Sequence, residues 1–187
     1  MNALLIVDLQ NDFRPGWALP APEGDKIVAV VNSLLGAFSL VVASKDWHPR
    51  KTVHFSDWPE HCIQGTPGAE LHPGLMQDRI DQIALTGTGE MDEGYSAFEA
   101  TNIDLEGFLK ERGVDRLFLT GIATEYCVKE TALAAVKRGF RTYIVLDAVA
   151  GIQLHAGDVE KALSEMRQAG VKTVSSEEVL REVKKTA

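Results

Sequence analysis

Residues 116–146 read RLFLTGIATEYCVKETALAAVKRGFRTYIVL, and their pattern decides the architecture. Arg116–Gly121 is a short β-rich run, Thr124–Arg138 has helical spacing with Gly139 behind it, and Thr142–Leu146 is β-rich again. Strand, helix and strand in so short a stretch form a crossover unit whose two strands run parallel. Outward from this unit the alternation repeats. Before it lie strands at Ala3–Leu9, Leu40–Ser44 and Ile80–Thr86, with helices at Asp25–Ala37 (apolar Ile27, Val30, Val31 and Leu34 on one side) and Asp104–Arg112, which Gly113 stops. After it come a helix at His155–Ala169, a strand at Val171–Val174 and a last helix at Glu177–Lys185. The expectation is one α/β domain over residues 1–187: a three-layer, doubly wound, mostly parallel sheet of about six strands.

Composition narrows the function. The chain has 187 residues, 45% of them hydrophobic and 25% charged, as in ordinary globular proteins. Nineteen basic against 27 acidic residues leave a net charge of −8, which argues against a generic grip on nucleic acid or on an anionic membrane. The apolar run Ala3–Val7 is short and ends at Asp8, which predicts neither a signal peptide nor a membrane span. Two cysteines, Cys62 and Cys127, make no disulfide framework, so a reducing cytoplasm is expected. Monomer and homo-oligomer both stay open.

In a doubly wound sheet, ligands sit beyond the carboxyl ends of the strands. Asp8, Asp46, Thr86 and the run Gly121–Cys127 all fall at that rim. The long irregular stretch Asp46–Gly74 begins there as well, and a loop of that length is usually functional. Its first part reads Asp46-Trp47-His48-Pro49, then His54, then Trp58-Pro59-Glu60-His61-Cys62. Neutral imidazoles with one carboxylate are the usual ligand set for zinc, iron or manganese. The competing reading is a polar loop whose histidines merely hydrogen-bond. Cys62 reads as a small buried side chain or a fifth ligand; His72, before Pro73, and His155 read as structural or exposed.

Thr120-Gly121-Ile122-Ala123-Thr124-Glu125-Tyr126-Cys127 follows the fourth strand. With Thr124 as N-cap, Cys127 falls in the third helical position, where the helix dipole favours a thiolate and free backbone N–H groups can hold an oxyanion. Asp8, across the rim, is placed to take the thiol proton. The alternative is that Cys127 is a core residue on a helix face.

Taken in order, Val7-Asp8-Leu9-Gln10-Asn11-Asp12-Phe13, the Asp46-Trp47-His48-Pro49 and His54 loop, Trp58–Cys62 with Gly65-Thr66-Pro67-Gly68-Ala69, Tyr95-Ser96-Ala97-Phe98 and Gly121–Val128 resemble the nicotinamidase/pyrazinamidase branch of the isochorismatase-like cysteine hydrolases. The resemblance spans nearly the whole chain. It implies an amidohydrolase that converts nicotinamide to nicotinic acid and ammonia in NAD salvage. Cys127 would then be the nucleophile and Asp8 the proton carrier. The N–H groups of Ala123 and Cys127 would form the oxyanion hole, beside a cis Ile122–Ala123 peptide. Asp46, His48, His54 and His61 would bind one divalent metal, zinc first, with iron and manganese also compatible. Phe13, Trp58 and Tyr95 would wall a flat aromatic pocket for nicotinamide or an analogue, though each is also an ordinary core residue on composition alone.

One departure stands out. The family's catalytic lysine at the end of the third strand corresponds here to Thr86, in Leu85-Thr86-Gly87-Thr88-Gly89, and no lysine lies between Lys51 and Lys110. Strand alternation turns Lys45 away from the face that Asp46 uses. A cation about 4 Å from a thiolate is worth up to about 4 kcal/mol at an effective dielectric of about 20. Turnover is therefore expected to suffer while fold and binding survive. Two other readings stay open: a related hydrolase of another small amide or an isochorismate-like enol ether, and a catalytically weak metal- and ligand-binding homologue.

Overall fold

The computed structural model describes residues 1–186, with side chains through residue 182. Six strands, β1 (Asn2–Val7), β2 (Val41–Asp46), β3 (Gln82–Thr86), β4 (Arg116–Ile122), β5 (Arg141–Ala150) and β6 (Lys172–Val174), form one sheet in the order β3-β2-β1-β4-β5-β6. Every neighbouring pair is parallel. The helices are α1 (Ile27–Leu35), α2 (Leu105–Glu111), α3 (Lys129–Lys137), α4 (Asp158–Gln168) and α5 (Ser176–Thr186). The doubly wound, three-layer expectation holds, and the sheet is wholly parallel. No described helix is long and apolar enough to cross a membrane.

Period-two alternation in the strands divides the core into two layers. Leu4 and Ile6 of β1 join Phe118, Tyr143 and Val145 on the side covered by α1 and α5, through Ile27, Val31, Leu34 and Val179. Ala3, Leu5 and Val7 face the other way, onto Leu105 and Leu109 of α2, Ala132 and Ala135 of α3, and Met166 of α4. Leu4, Leu5 and Ile6 are completely buried, each worth about 2 kcal/mol against an exposed side chain. A strand buried on both faces reads as a continuous apolar run, and β1 does.

Helix ends follow local chemistry. Asp104 caps α2 by accepting from Gly107 N at 3.0 Å, and Gly113 and Gly139 take the left-handed conformation just beyond α2 and α3. β5 runs four residues beyond the predicted Leu146. Past a register shift between Leu119 and Gly121, Val149 and Ala150 pair with Gly121 and Ile122 at the rim.

The strand order reverses between β1 and β4, so the crevice of this sheet opens between their carboxyl ends. These strands meet tightly. Gly121 pairs with Val7 at φ +109°, and a Cβ there would stand 1.9 Å from the Val7 carbonyl oxygen. Gly121→Ala should therefore cost at least about 3 kcal/mol of unfolding free energy or prevent folding, as read by urea denaturation. A midpoint within error of the unchanged protein would disprove the close approach.

Candidate active site

Asp8 directly follows β1, with φ +45°, a conformation that aspartate tolerates better than most side chains. Ser44 holds it there: the Ser44 hydroxyl donates to Asp8 Oδ1 at 2.6 Å and accepts from Asp8 N at 3.3 Å. Ser44 and Asp46 lie two residues apart on β2 and share a face, a signal by which the sequence could have identified Ser44. Lys45 points away as expected, with its Nζ 3.0 Å from Glu70 Oε2 and 4.4 Å from the centre of the Trp47 ring.

Asp46 ends β2 and is clamped by Gln10, whose role the sequence did not disclose. Gln10 Oε1 accepts from Asp46 N, and its Nε2 donates to Asp46 O and Ala69 O, each at 2.8 Å. Around the Asp46 carboxylate stand His48, His54 and His61, all buried, with one ring nitrogen of each within 4.8 Å of the others. Their Nδ1 atoms lie beside groups that can only accept: Gly87 O for His48 (3.1 Å), Glu93 Oε2 for His54 (3.1 Å) and Pro59 O for His61 (2.7 Å). Each Nδ1 therefore carries a proton, which leaves Nε2 as the nitrogen that can offer a lone pair to a metal. His48 Nε2 is buried with no hydrogen-bond partner. The Nε2 atoms of His48 and His61 both lie 3.7 Å from Asp46 Oδ2, too long for a hydrogen bond and near the ligand–ligand edge of about 3.4 Å around a tetrahedral ion. Three imidazole nitrogens, one carboxylate and a buried His48 Nε2 without a partner fit a divalent metal ion.

Burial works to raise the Asp46 pKa, but its contacts with His48 and His61 win and hold the carboxyl well below its usual range. His61 is raised: burial opposes its charge, and Asp46 overcomes that. His54 is lowered, by burial and then by the neighbouring His48.

Asp46 also belongs to a second buried group. Ligand-type atoms of Asp8, Asp46 and Cys127 lie within 4.8 Å of one another. Cys127 sits in a π-helical turn, Thr124–Val128, that precedes α3. This corrects two expectations. Ala123, not Thr124, occupies the cap position, without a side-chain cap, and Thr124 Oγ1 is buried with no hydrogen-bond partner. The turn is instead closed by Tyr126 N and Val128 N donating to Ala123 O, at 3.0 and 3.1 Å. The thiol is also not poised as a thiolate. Burial, then the charges of Asp46 and Asp8, push the Cys127 pKa well above that of a free cysteine, outweighing the pull of a helix start. Asp8 is likewise pushed up, by burial and by Asp46.

Thr86 ends β3, paired with Asp46 across the sheet, and its hydroxyl lies 3.3 Å from both Lys45 O and Asp46 Oδ1. Among the described residues no ion pair joins a lysine or arginine to Asp8, Asp46 or Cys127. The two carboxylates and the thiol share a buried corner without a side-chain cation.

Beside Cys127 and Asp46 opens a cavity. Cys127, Asp46, His54 and His61 form its polar end. Phe13, Trp58 and Tyr95 are in its walls as expected, joined by Leu19, Tyr126 and Ile152, which the sequence reading missed. Trp58 Nε1 donates to Tyr95 OH at 2.8 Å, and the Trp58 ring meets Tyr126 edge-on at 4.8 Å. Tyr126 adjoins Cys127, and Ile152 follows β5 at the same rim; position beside the site was the available signal for both. Leu19 had none. Ala123 lines the cavity and the Ile122–Ala123 peptide is cis. Cys62 is fully buried. His72 lies 3.0 Å from Asp25, outside the cluster, and His155 is exposed.

The isochorismatase domain profile matches residues 2–178. A nicotinamidase of Acinetobacter baylyi is 37% identical over 95% of this chain and 94% of its own length. The crystal structure of the pyrazinamidase of Pyrococcus horikoshii in complex with zinc superposes with a TM-score of 0.84 at 45% identity, covering 93% of this chain and 98% of that one. PnC1 from L. infantum, in complex with nicotinate, superposes with a TM-score of 0.88 at 33% identity, covering 95% of this chain and 93% of that one.

The raised thiol has a measurable consequence. In metal-free protein, alkylation of Cys127 by iodoacetamide should be slow at pH 7 and rise roughly tenfold per pH unit toward pH 9, because only the thiolate reacts. Fully buried Cys62 should remain unlabelled in the same peptide maps. A rate that does not change between pH 7 and 9 would mean the thiolate is already formed.

Proposed function

The chain belongs to the isochorismatase family, and from that premise we propose that it hydrolyses the carboxamide of nicotinamide to nicotinic acid and ammonia, with Cys127 as nucleophile. The observation that carries this reading is the meeting of Cys127 with Asp8 and Asp46, where Cys127 and Asp46 also line a cavity walled by aromatic side chains. A flat pyridine ring suits an aromatic lining with a few polar groups at one side. The likeness to a nicotinamidase and to a nicotinate-bound structure supports the same substrate.

Cys127 Sγ attacks the carboxamide carbon while its proton passes to Asp8. The raised pKa of Asp8 suits this step, since a carboxylate that holds protons more tightly is a stronger base for a thiol that is itself raised. The oxygen of the tetrahedral adduct is stabilised by the N–H groups of Ala123 and Cys127. Asp8 then gives the proton to the amide nitrogen, the C–N bond breaks and ammonia leaves, with the acyl group on sulfur as a thioester. A water, losing a proton to Asp8, attacks the thioester carbon. Nicotinic acid departs and the proton returns to Cys127 Sγ. Phe13, Trp58 and Tyr95 hold the ring and exclude solvent. Asp46, His48, His54 and His61 would hold a divalent ion, zinc first by donor set and by the likeness to a zinc-bound relative, supplying when bound a Lewis-acid position for the pyridine nitrogen. Two free cysteines suit a reducing, cytoplasmic setting.

Thr86 favours a second reading, a binding protein of the same fold with weak turnover, because the buried acids and thiol have no side-chain cation beside them. Two measurements separate the readings. Ammonia release from nicotinamide, lost at least a thousandfold in Cys127→Ala, supports the hydrolase; nicotinic acid binding without release supports the alternative. Thr86→Lys should speed hydrolysis about thirtyfold, half of the full Coulomb value or about 2 kcal/mol, and shift the alkaline-side rise of kcat/KM to lower pH. A threonine enzyme as fast as its lysine variant, at matched metal content, would show that the cation is dispensable here.

A further inference from the structure

The three imidazoles are not held alike. His48 and His61 rest on main-chain carbonyls, Gly87 O and Pro59 O, whereas His54 rests on a side chain, Glu93, which is half exposed. Gly87 and Glu93 belong to one short loop. Its neck is closed by two glycines in left-handed conformations, Gly87 at φ +60° and Gly94 at φ +71°. A Cβ on Gly94 would come within 2.2 Å of Gly87 N, and a Cβ on Gly87 within 2.4 Å of the His48 ring, so neither position has room for a side chain. Inside the loop Gly89 N donates to Asp92 Oδ2 at 2.9 Å. Outside it, Glu90 O accepts from Val53 N at 2.8 Å, which ties the loop to the turn Val53–Ser56 carrying His54.

We propose that the loop 87–94 is the outer brace of the metal site and that Glu93 is a positioning residue within it, setting metal affinity by holding His54. The inference rests on the metal reading of Asp46, His48, His54 and His61 given above. Glu93 acts at one atom. By accepting from His54 Nδ1 it keeps the proton there, leaves the lone pair on Nε2 and makes that nitrogen a better donor, as a carboxylate behind a ligating imidazole does. A backbone carbonyl does this without a charge. Glu93 is thus the single ionic support among the three, and its removal should free the His54 ring while leaving His48 and His61 in place.

The test is zinc affinity, measured by competition with a fluorescent chelator on protein first stripped of metal. Glu93→Ala should weaken zinc binding ten- to a hundredfold, and Glu93→Gln, which keeps an acceptor but no charge, should recover part of that loss. Glu90→Ala removes the same charge from the same loop without touching His54 and should bind zinc as the unchanged protein does. The melting temperature of metal-free Glu93→Ala should equal that of metal-free unchanged protein. Equal zinc affinity in all four proteins would overturn the role of Glu93 and leave the metal site standing. No zinc uptake by the unchanged protein would overturn the metal reading itself. Parallel losses in Glu93→Ala and Glu90→Ala, or a loss that follows a fall in metal-free melting temperature, would also overturn the role of Glu93, as a general charge or folding effect.

Discussion

The contact between β1 and β4 at the centre of the sheet is what the rest of the molecule depends on. Val7 and Gly121 approach so closely that no side chain fits between them, and the chain leaves that point in two directions. From β1 it turns at Asp8; from β4 it passes through Ile122 and Ala123 into the turn that carries Cys127. The strand order reverses here, the place where a doubly wound sheet forms its crevice. Asp8 and Cys127 come together because two parallel strands end side by side.

The electrostatics of that meeting are costly. Asp8 and Asp46 are buried to 2% and 3% exposure, and burying charge is unfavourable unless it is paired. Asp46 finds its compensation in His48 and His61, which hold its pKa down despite burial. Asp8 has the Ser44 hydroxyl, the Cys127 thiol and a backbone N–H, and burial and then Asp46 still raise its pKa. The same carboxylate therefore serves two neighbours in opposite senses: Asp46 steadies the imidazole cluster and opposes ionisation of Asp8 and Cys127.

Supporting residues outnumber reacting ones. Gln10 grips Asp46 by its backbone, Ser44 fixes Asp8, and the 87–94 loop stands behind two histidines. A site assembled from four strand ends and a long loop needs such bracing, because loop side chains lose more conformational entropy on ordering than those on the sheet. Most of these braces use main-chain groups or short side chains, which leaves Glu93 as the support most open to solvent.

Much of this was legible in the sequence. Apolar runs at Ala3–Val7 and Leu117–Leu119, broken by helical spacing, determine a parallel α/β sheet because strands buried on both faces have no polar positions. Asp46, His48, His54 and His61 announced their chemistry by type and spacing, and alternation correctly turned Lys45 away. The tertiary structure alone decided the rest. How readily Cys127 ionises depends on how deeply it is buried and which charges face it, and burial, then Asp46 from a distant part of the sequence, work against the thiolate. Thr124 is disqualified as a cap by a π-helical turn that propensity does not foresee. Gln10 and Glu93 have their partners 36 and 39 residues away, in Asp46 and His54, and Leu19 reaches the cavity only through the fold. Local sequence sets periodicity and donor type, but electrostatic environment and second partners are sums over neighbours that only the folded chain brings together.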